Sequence, residues 1–173
     1  MITTIDDFIR YYEGVNRRAV RDVGALPADA EGWRPAAGAG ERGWEIGQLV
    51  AHIVDSRRMF LSVYRASGWK MVLPAPLPRD RWLPELEASA TELVEGLRQT
   101  PDEWLRRRVP AIDGSGATLA GWRALMSMVE HEVHHRSQLD TYAGMNGWEV
   151  PQIFNRTAEE VARISEVGEG AGT

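Results

Sequence analysis

The chain contains no cysteine. Disulfides, thiolate zinc sites, cysteine nucleophiles and thiol redox switches are therefore excluded together. Lysine is nearly missing as well: Lys70 is the only one among the 20 basic residues, a bias that GC-rich coding explains better than a phosphate-binding surface. An excess of positive charge is also lacking. Against those 20 basic residues stand 25 acidic ones, a formal net charge of −5, which disfavours a general electrostatic hold on nucleic acid or anionic lipid. The one basic triplet, Arg106, Arg107 and Arg108 beside Trp104, suits a solvated loop, because a nucleic-acid surface needs a wider basic face. No apolar run approaches the roughly 18–20 residues of a membrane span. The opening MITTIDDFIR, with two aspartates and no apolar stretch, does not read as a secretory signal. The expectation is a soluble cytoplasmic protein whose partners include neither nucleic acid nor membrane.

What is present fits one globular domain. The 173 residues, 43% hydrophobic and 26% charged, can bury a sizeable core. From Thr4 to about Val23 the residues Ile5, Phe8, Ile9, Tyr12, Val15 and Ala19 recur at three- and four-residue steps, which predicts an amphipathic helix. A second helical pattern runs from Trp44 to about Ser67, with Ile46, Leu49, Ile53, Phe60 and Tyr64 as its stripe. The proline-rich GWKMVLPAPLPRDRW that follows predicts a stiff extended linker. A third helix is expected to start near Pro84, a favoured first-turn residue, and a long fourth helix to run from a Thr118 N-cap to about Gly144. Between them VPAIDGSGAT suggests a short hairpin turning at Asp113-Gly114, and a short terminal helix is expected over Asn155 to Val167.

Four substantial helices with almost no strand pattern predict an all-α four-helix bundle with long crossover connections and a short C-terminal helix. The expected domain spans residues 1–167, with 168–173 a flexible tail. A fifteen-residue extended linker reaches roughly 50 Å, further than the about 30 Å length of a twenty-residue helix. Helices two and three can therefore run in the same direction.

The chain has four histidines, and three of them, His131, His134 and His135, fall within five residues of helix four. At about 100° per residue, His131 and His135 share one face, one turn apart. Two imidazoles at that spacing can converge on a cation at about 2.0–2.1 Å, and zinc, nickel, copper and iron all accept imidazole. The remaining histidine, His52, lies on a polar line with Gln48 and Ser56 beside the apolar stripe of helix two. His52 is roughly 12 Å from the start of its helix and His135 roughly 13 Å from the end of its own. The two meet at one level only if helices two and four are antiparallel, which with a parallel two–three pair makes the bundle up-down-down-up. The competing interpretation is of ordinary helix histidines satisfied by backbone or carboxylate neighbours.

His131-Glu132-Val133-His134-His135 also spells H-E-x-x-H, the zinc-peptidase signature, with Glu132 as base and Glu159 or Glu160 as a third ligand. That pattern leaves His52 without a role and lacks the strands a peptidase needs. A second pattern uses more of the chain. Trp44-Glu45-Ile46-Gly47-Gln48-Leu49-Val50-Ala51-His52-Ile53 resembles the start of helix two in the DinB/YfiT-like family, and His131-Glu132-Val133-His134-His135-Arg136-Ser137-Gln138-Leu139 resembles that family's helix-four signature. Trp33-Arg34-Pro35 before helix two, and Gly147 with Pro151 after helix four, are similar to its flanking positions.

The resemblance implies an up-down-down-up four-helix bundle, often dimeric, with a divalent cation, zinc or nickel, on His52, His131 and His135. It implies no ligand role for His134, and Ser137 departs from the family's usual glycine. Relatives include transferases that use low-molecular-weight thiols such as bacillithiol or mycothiol, so the implied activity is transfer of a metal-activated thiol, or water, to a small electrophilic substrate. A non-enzymatic protein with a structural or sensory metal is the alternative, and an H-E-x-x-H hydrolase a minor one. Gln48, Ser56, Gln138 and Tyr142 are candidate pocket hydrogen-bonders from their helical faces. Asp55, Arg57 and Arg58 are expected to form an exposed or interfacial charge cluster. Trp122, Met126, Val129 and Val133, on the other face of helix four, suggest a homodimer.

Overall fold

The computed structural model describes residues 2–69, 72–112, 115–149, 151–153 and 155–170, with side chains described through residue 164. Helix α1, Ile5–Ala25, starts where Thr4 Oγ1 accepts from Asp7 N at 3.1 Å and the Asp7 carboxylate accepts in return from Thr4 N at 3.1 Å. Asp7 also accepts from Thr3, and these donors hold its carboxyl well below the usual carboxylate range. The stripe read from the sequence is the stripe that is buried, from Ile5 and Phe8 to Ala19 and Val23. Helix α2 is Ile46–Tyr64, opened by a reciprocal cap between Glu45 and Gln48. Gln48 Nε2 donates to Pro74 O at 3.4 Å, so its amide pins the linker.

Helix α3, Arg79–Arg98, begins five residues before the expected Pro84 start, after a Pro78 N-cap. Pro84 lies inside its second turn. The early turn is retained because it carries Trp82 into the core at 2% exposure, with its indole N–H donating to Leu77 O at 2.8 Å. Strands β1, Arg108–Pro110, and β2, Thr118–Ala120, pair antiparallel with Val109 opposite Leu119. The expected turn residues Asp113 and Gly114 lie outside the described residues. Because Thr118 is paired in β2, helix α4, Gly121–Met145, starts two residues later than expected, on an Ala120 N-cap. Gly121 is needed there: a Cβ would stand 2.2 Å from Trp104 O. Helix α5 is Ala158–Gly170, three residues later at each end than the expected Asn155 to Val167.

The helices meet at matched points. Leu77 N donates to Gly47 O at 3.2 Å, Arg57 reaches Leu86 and Ser89, and Gly96 packs on Leu61, so contacts rise together along α2 and α3. Along α4 they fall as α2 rises, from His52 near His135 to Tyr64 near Gly121. One apolar cluster gathers Phe8, Tyr12, Phe60, Leu93, Leu125 and Met128; another gathers Leu26, Ile46, Ile53, Trp82, Leu86 and Leu139. Between them along α2 and α4 lies a layer of buried polar side chains. Among the described residues no helix is long and apolar enough to cross a membrane.

Candidate metal centre

Helix α2 supplies His52 and helix α4 supplies His131 and His135, and their Nε2 atoms meet. His52 Nε2 stands 2.9 Å from His131 Nε2, which stands 3.2 Å from His135 Nε2. Metal–nitrogen bonds of about 2.0–2.1 Å on one tetrahedral cation put two nitrogens about 3.3 Å apart, so the spacing is that of a shared ligand set. His52 and His135 are buried and His131 half-buried. Burial is the main cause that holds all three below the ordinary imidazole value: His52 moves down, His135 to about 4 and His131 to about 3, the last helped by its histidine neighbours. Three neutral imidazoles with converging lone pairs suit a borderline divalent cation, and the residues present fit one.

The rings are held from outside. Trp44 packs edge-on against His52 with centroids 5.0 Å apart. His135 Nδ1 lies 3.1 Å from Gln138 Oε1, and Gln138 Nε2 donates to Tyr142 Oη at 2.9 Å and to Glu41 O at 2.6 Å. Gln138 and Tyr142 thus serve the ligand ring and the turn Gly40–Gly43, and they line a separate cleft of about 310 Å³ with Glu41, Arg42 and His134. The cleft beside His52, about 230 Å³, is lined by His52, Asp55, Ser56, Arg58, Met59 and Ser62. Ser56 is the one pocket candidate found there; its hydroxyl is buried without a hydrogen-bond partner among the described residues. His134 is exposed and stays outside the triad; its ligand nitrogen lies within 4.8 Å of Glu41 and His135 ligand atoms, a second group at the rim.

Arg57 departs from the expectation of an exposed cluster. It is 1% exposed and grips both oxygens of Glu132, at 2.9 Å and 2.7 Å, while donating to Leu86 O at 2.6 Å and Ser89 Oγ at 3.1 Å. Asp55 and Arg58 are the part of that cluster at the surface, where Arg58 pairs with Glu92 and Glu85. A carboxylate so held is not free to act as a base, which removes the peptidase use of Glu132, and Glu159 and Glu160 belong to neither histidine group. A second buried pair, Arg136 Nε to Asp22 Oδ2 at 3.0 Å, lies one turn further along α4. The sequence carries the signal for both: Arg57 is four residues after Ile53 and three before Phe60, and Asp22 is three after Ala19, each on an apolar stripe. Ser137 donates back to Val133 O at 3.0 Å on the exposed side, so the departure from glycine does not touch the triad. On the face assigned to a partner, Trp122 and Val133 are exposed, but Val129 is buried in this chain's own core.

Among the solved structures that share the fold are two DinB-like proteins. A DinB-like protein from Bacillus cereus is 20% identical, with a TM-score of 0.70 covering 88% of this chain and 99% of that one. A DinB-like protein from Bacillus subtilis is also 20% identical, with a TM-score of 0.63 covering 84% and 96%. No curated protein matches the sequence. The DinB family model matches residues 1–167, nearly the whole length, and the chain belongs to the DinB family.

Proposed function

We propose that this chain is a metal-dependent DinB-family enzyme whose His52, His131 and His135 hold one divalent cation, zinc or nickel. Its reaction is the transfer of a low-molecular-weight thiol, of the bacillithiol or mycothiol kind, to a small electrophile. The observation that carries the proposal is the meeting of three buried-side imidazole nitrogens next to a cleft of about 230 Å³. A divalent cation bound there supplies Lewis acidity, lowering the pKa of a coordinated thiol or water. The chain's own groups do the rest. Burial keeps the imidazoles neutral, Trp44 and Gln138 orient two of the rings, and Met59 gives the cleft an apolar wall. Ser56 Oγ, without a partner among the described residues, offers a donor and acceptor to a substrate polar group. In the transfer a sulfur–carbon bond forms, the carbon–leaving-group bond breaks with its electron pair going to the leaving group, and the S–H proton passes by way of solvent to that departing group. The rising and falling contacts along α3 and α4 support an up-down-down-up bundle. Exposed Trp122 and Val133 on α4 support a homodimer.

The test is metal content by mass spectrometry on untagged protein, beside a His52→Ala variant, followed by thiol-transfer assays. Near-stoichiometric metal that is lost in the variant is the expected result. Absence of metal in the wild type even after zinc or nickel is added overturns the proposal. Bound metal with no thiol or water chemistry turns it into a structural or sensory site.

A further inference from the structure

The hydrogen-bond chain behind His135 admits one assignment of its protons. Arg42 O and Glu41 O are backbone carbonyls and can only accept. Tyr142 Oη lies 2.9 Å from Arg42 O, so the hydroxyl must spend its one proton there. It then has only lone pairs for Gln138, 2.9 Å away, and the Gln138 atom facing it must be the amide nitrogen. The same nitrogen lies 2.6 Å from Glu41 O, which uses the second amide proton. Flipping the amide would set an oxygen against two groups that have no proton to give. The other end of the amide is therefore the carbonyl oxygen, and the His135 Nδ1 that faces it at 3.1 Å must carry a hydrogen. A neutral imidazole has one N–H, so His135 Nε2 is bare and its lone pair points at the triad.

We propose that Gln138, itself oriented by Tyr142 and the Glu41 carbonyl, is a positioning residue that locks His135 in the tautomer able to ligate through Nε2. One consequence follows inside the triad. With His135 Nε2 bare, His131 Nε2 can donate to it or accept from His52, but not both. Neutral imidazoles alone thus satisfy one of the two short contacts, at 2.9 Å and 3.2 Å, and leave the other unmet. A cation takes all three lone pairs. The part of this inference that concerns metal affinity rests on the proposed function; the tautomer does not.

The experiment has two readouts. Long-range proton–nitrogen NMR correlations on the metal-free, nitrogen-15-labelled protein report which His135 nitrogen is protonated. Zinc affinity, by competition with a chelator, reports the lock's effect on ligation. The wild type is expected to show Nδ1–H. Gln138→Leu is expected to lose that preference and to bind zinc roughly 10- to 100-fold more weakly, the usual cost of removing a partner behind a ligand histidine. Gln138→Glu keeps an acceptor for Nδ1–H and is expected to restore the tautomer, although it frees the turn. Tyr142→Phe, which preserves the ring, leaves the Glu41 carbonyl against the amide nitrogen and is expected to keep the Nδ1–H tautomer. An Nε2–H tautomer in the wild type, or an unchanged one in Gln138→Leu, overturns the lock. Zinc that fails to bind the wild type while Nδ1–H is observed overturns the proposed metal centre and leaves the lock standing.

Discussion

Helix α4 carries two pairs of side chains at the same four-residue spacing and one residue apart, His131 with His135 and Glu132 with Arg136. Both pairs point from the same two turns into the bundle, and they meet opposite fates. Glu132 finds Arg57 and Arg136 finds Asp22, complementary partners whose hydrogen bonds complete the charges. His131 and His135 find His52, a third group of their own kind, and three like donors cannot complete one another. One side of the helix is finished by the protein itself. The other gathers three imidazoles that could hold one metal ion. The ion pairs account for order in the middle of the bundle, whereas the incomplete side is where ligand chemistry belongs.

The largest expected effect comes from breaking the completed side. Glu132→Ala strands a guanidinium at 1% exposure, and denaturant unfolding should show a loss of about 3–5 kcal/mol. An unchanged midpoint would mean that Arg57 finds water or another partner. On the incomplete side, adding zinc at about a hundredfold over its dissociation constant should raise stability by about 2.7 kcal/mol in the wild type. The gain should vanish in His52→Ala, and a gain of equal size in that variant would break the comparison.

A smaller effect is set by pH. Burial holds His135 at about 4 and His131 at about 3 in the folded chain, below the 6.5 of a free imidazole. The unfolded chain therefore takes up protons first, and the metal-free protein should lose stability as pH falls from about 6.5 towards 4. Above 6.5 this contribution is fully present. A His131→Gln, His135→Gln double variant should flatten that window in acid-titrated thermal melts, and an unaltered slope would place its cause elsewhere. The smallest effect is expected from replacing both members of the ion pair, Arg57→Met with Glu132→Leu. Removing both charges of a buried pair is often close to neutral. A large loss would show that the pair's links to Leu86 and Ser89 hold α3 in place.

Much of the fold is legible along the chain because local patterns decide it. Thr4 and Asp7 spell their cap, and the stripe from Ile5 to Ala19 is buried as its period requires. Helix α3 shows where local evidence misleads: Pro84 looks like a first-turn residue, but burial of Trp82 pulls the helix start back to Arg79. Gln48, considered for a pocket, stands three residues after Glu45, the spacing of a reciprocal cap, so its role was available in the sequence. Arg57 was readable as a charge on an apolar stripe but not as half of a pair, since its partner lies 75 residues away.

The sequence by itself determined an all-α chain of the DinB family, with two histidines one turn apart on α4 and a third on α2. Those are properties of period, spacing and motif, which a helix converts directly into a face. Only the tertiary structure decided that His52 arrives within 2.9 Å of His131, that Glu132 belongs to Arg57, and that Gln138 faces His135 with its oxygen. Each depends on where a separate segment comes to rest, because hydrogen bonds and ligand sets are closed by groups distant in the chain, and no local periodicity specifies what a face will meet.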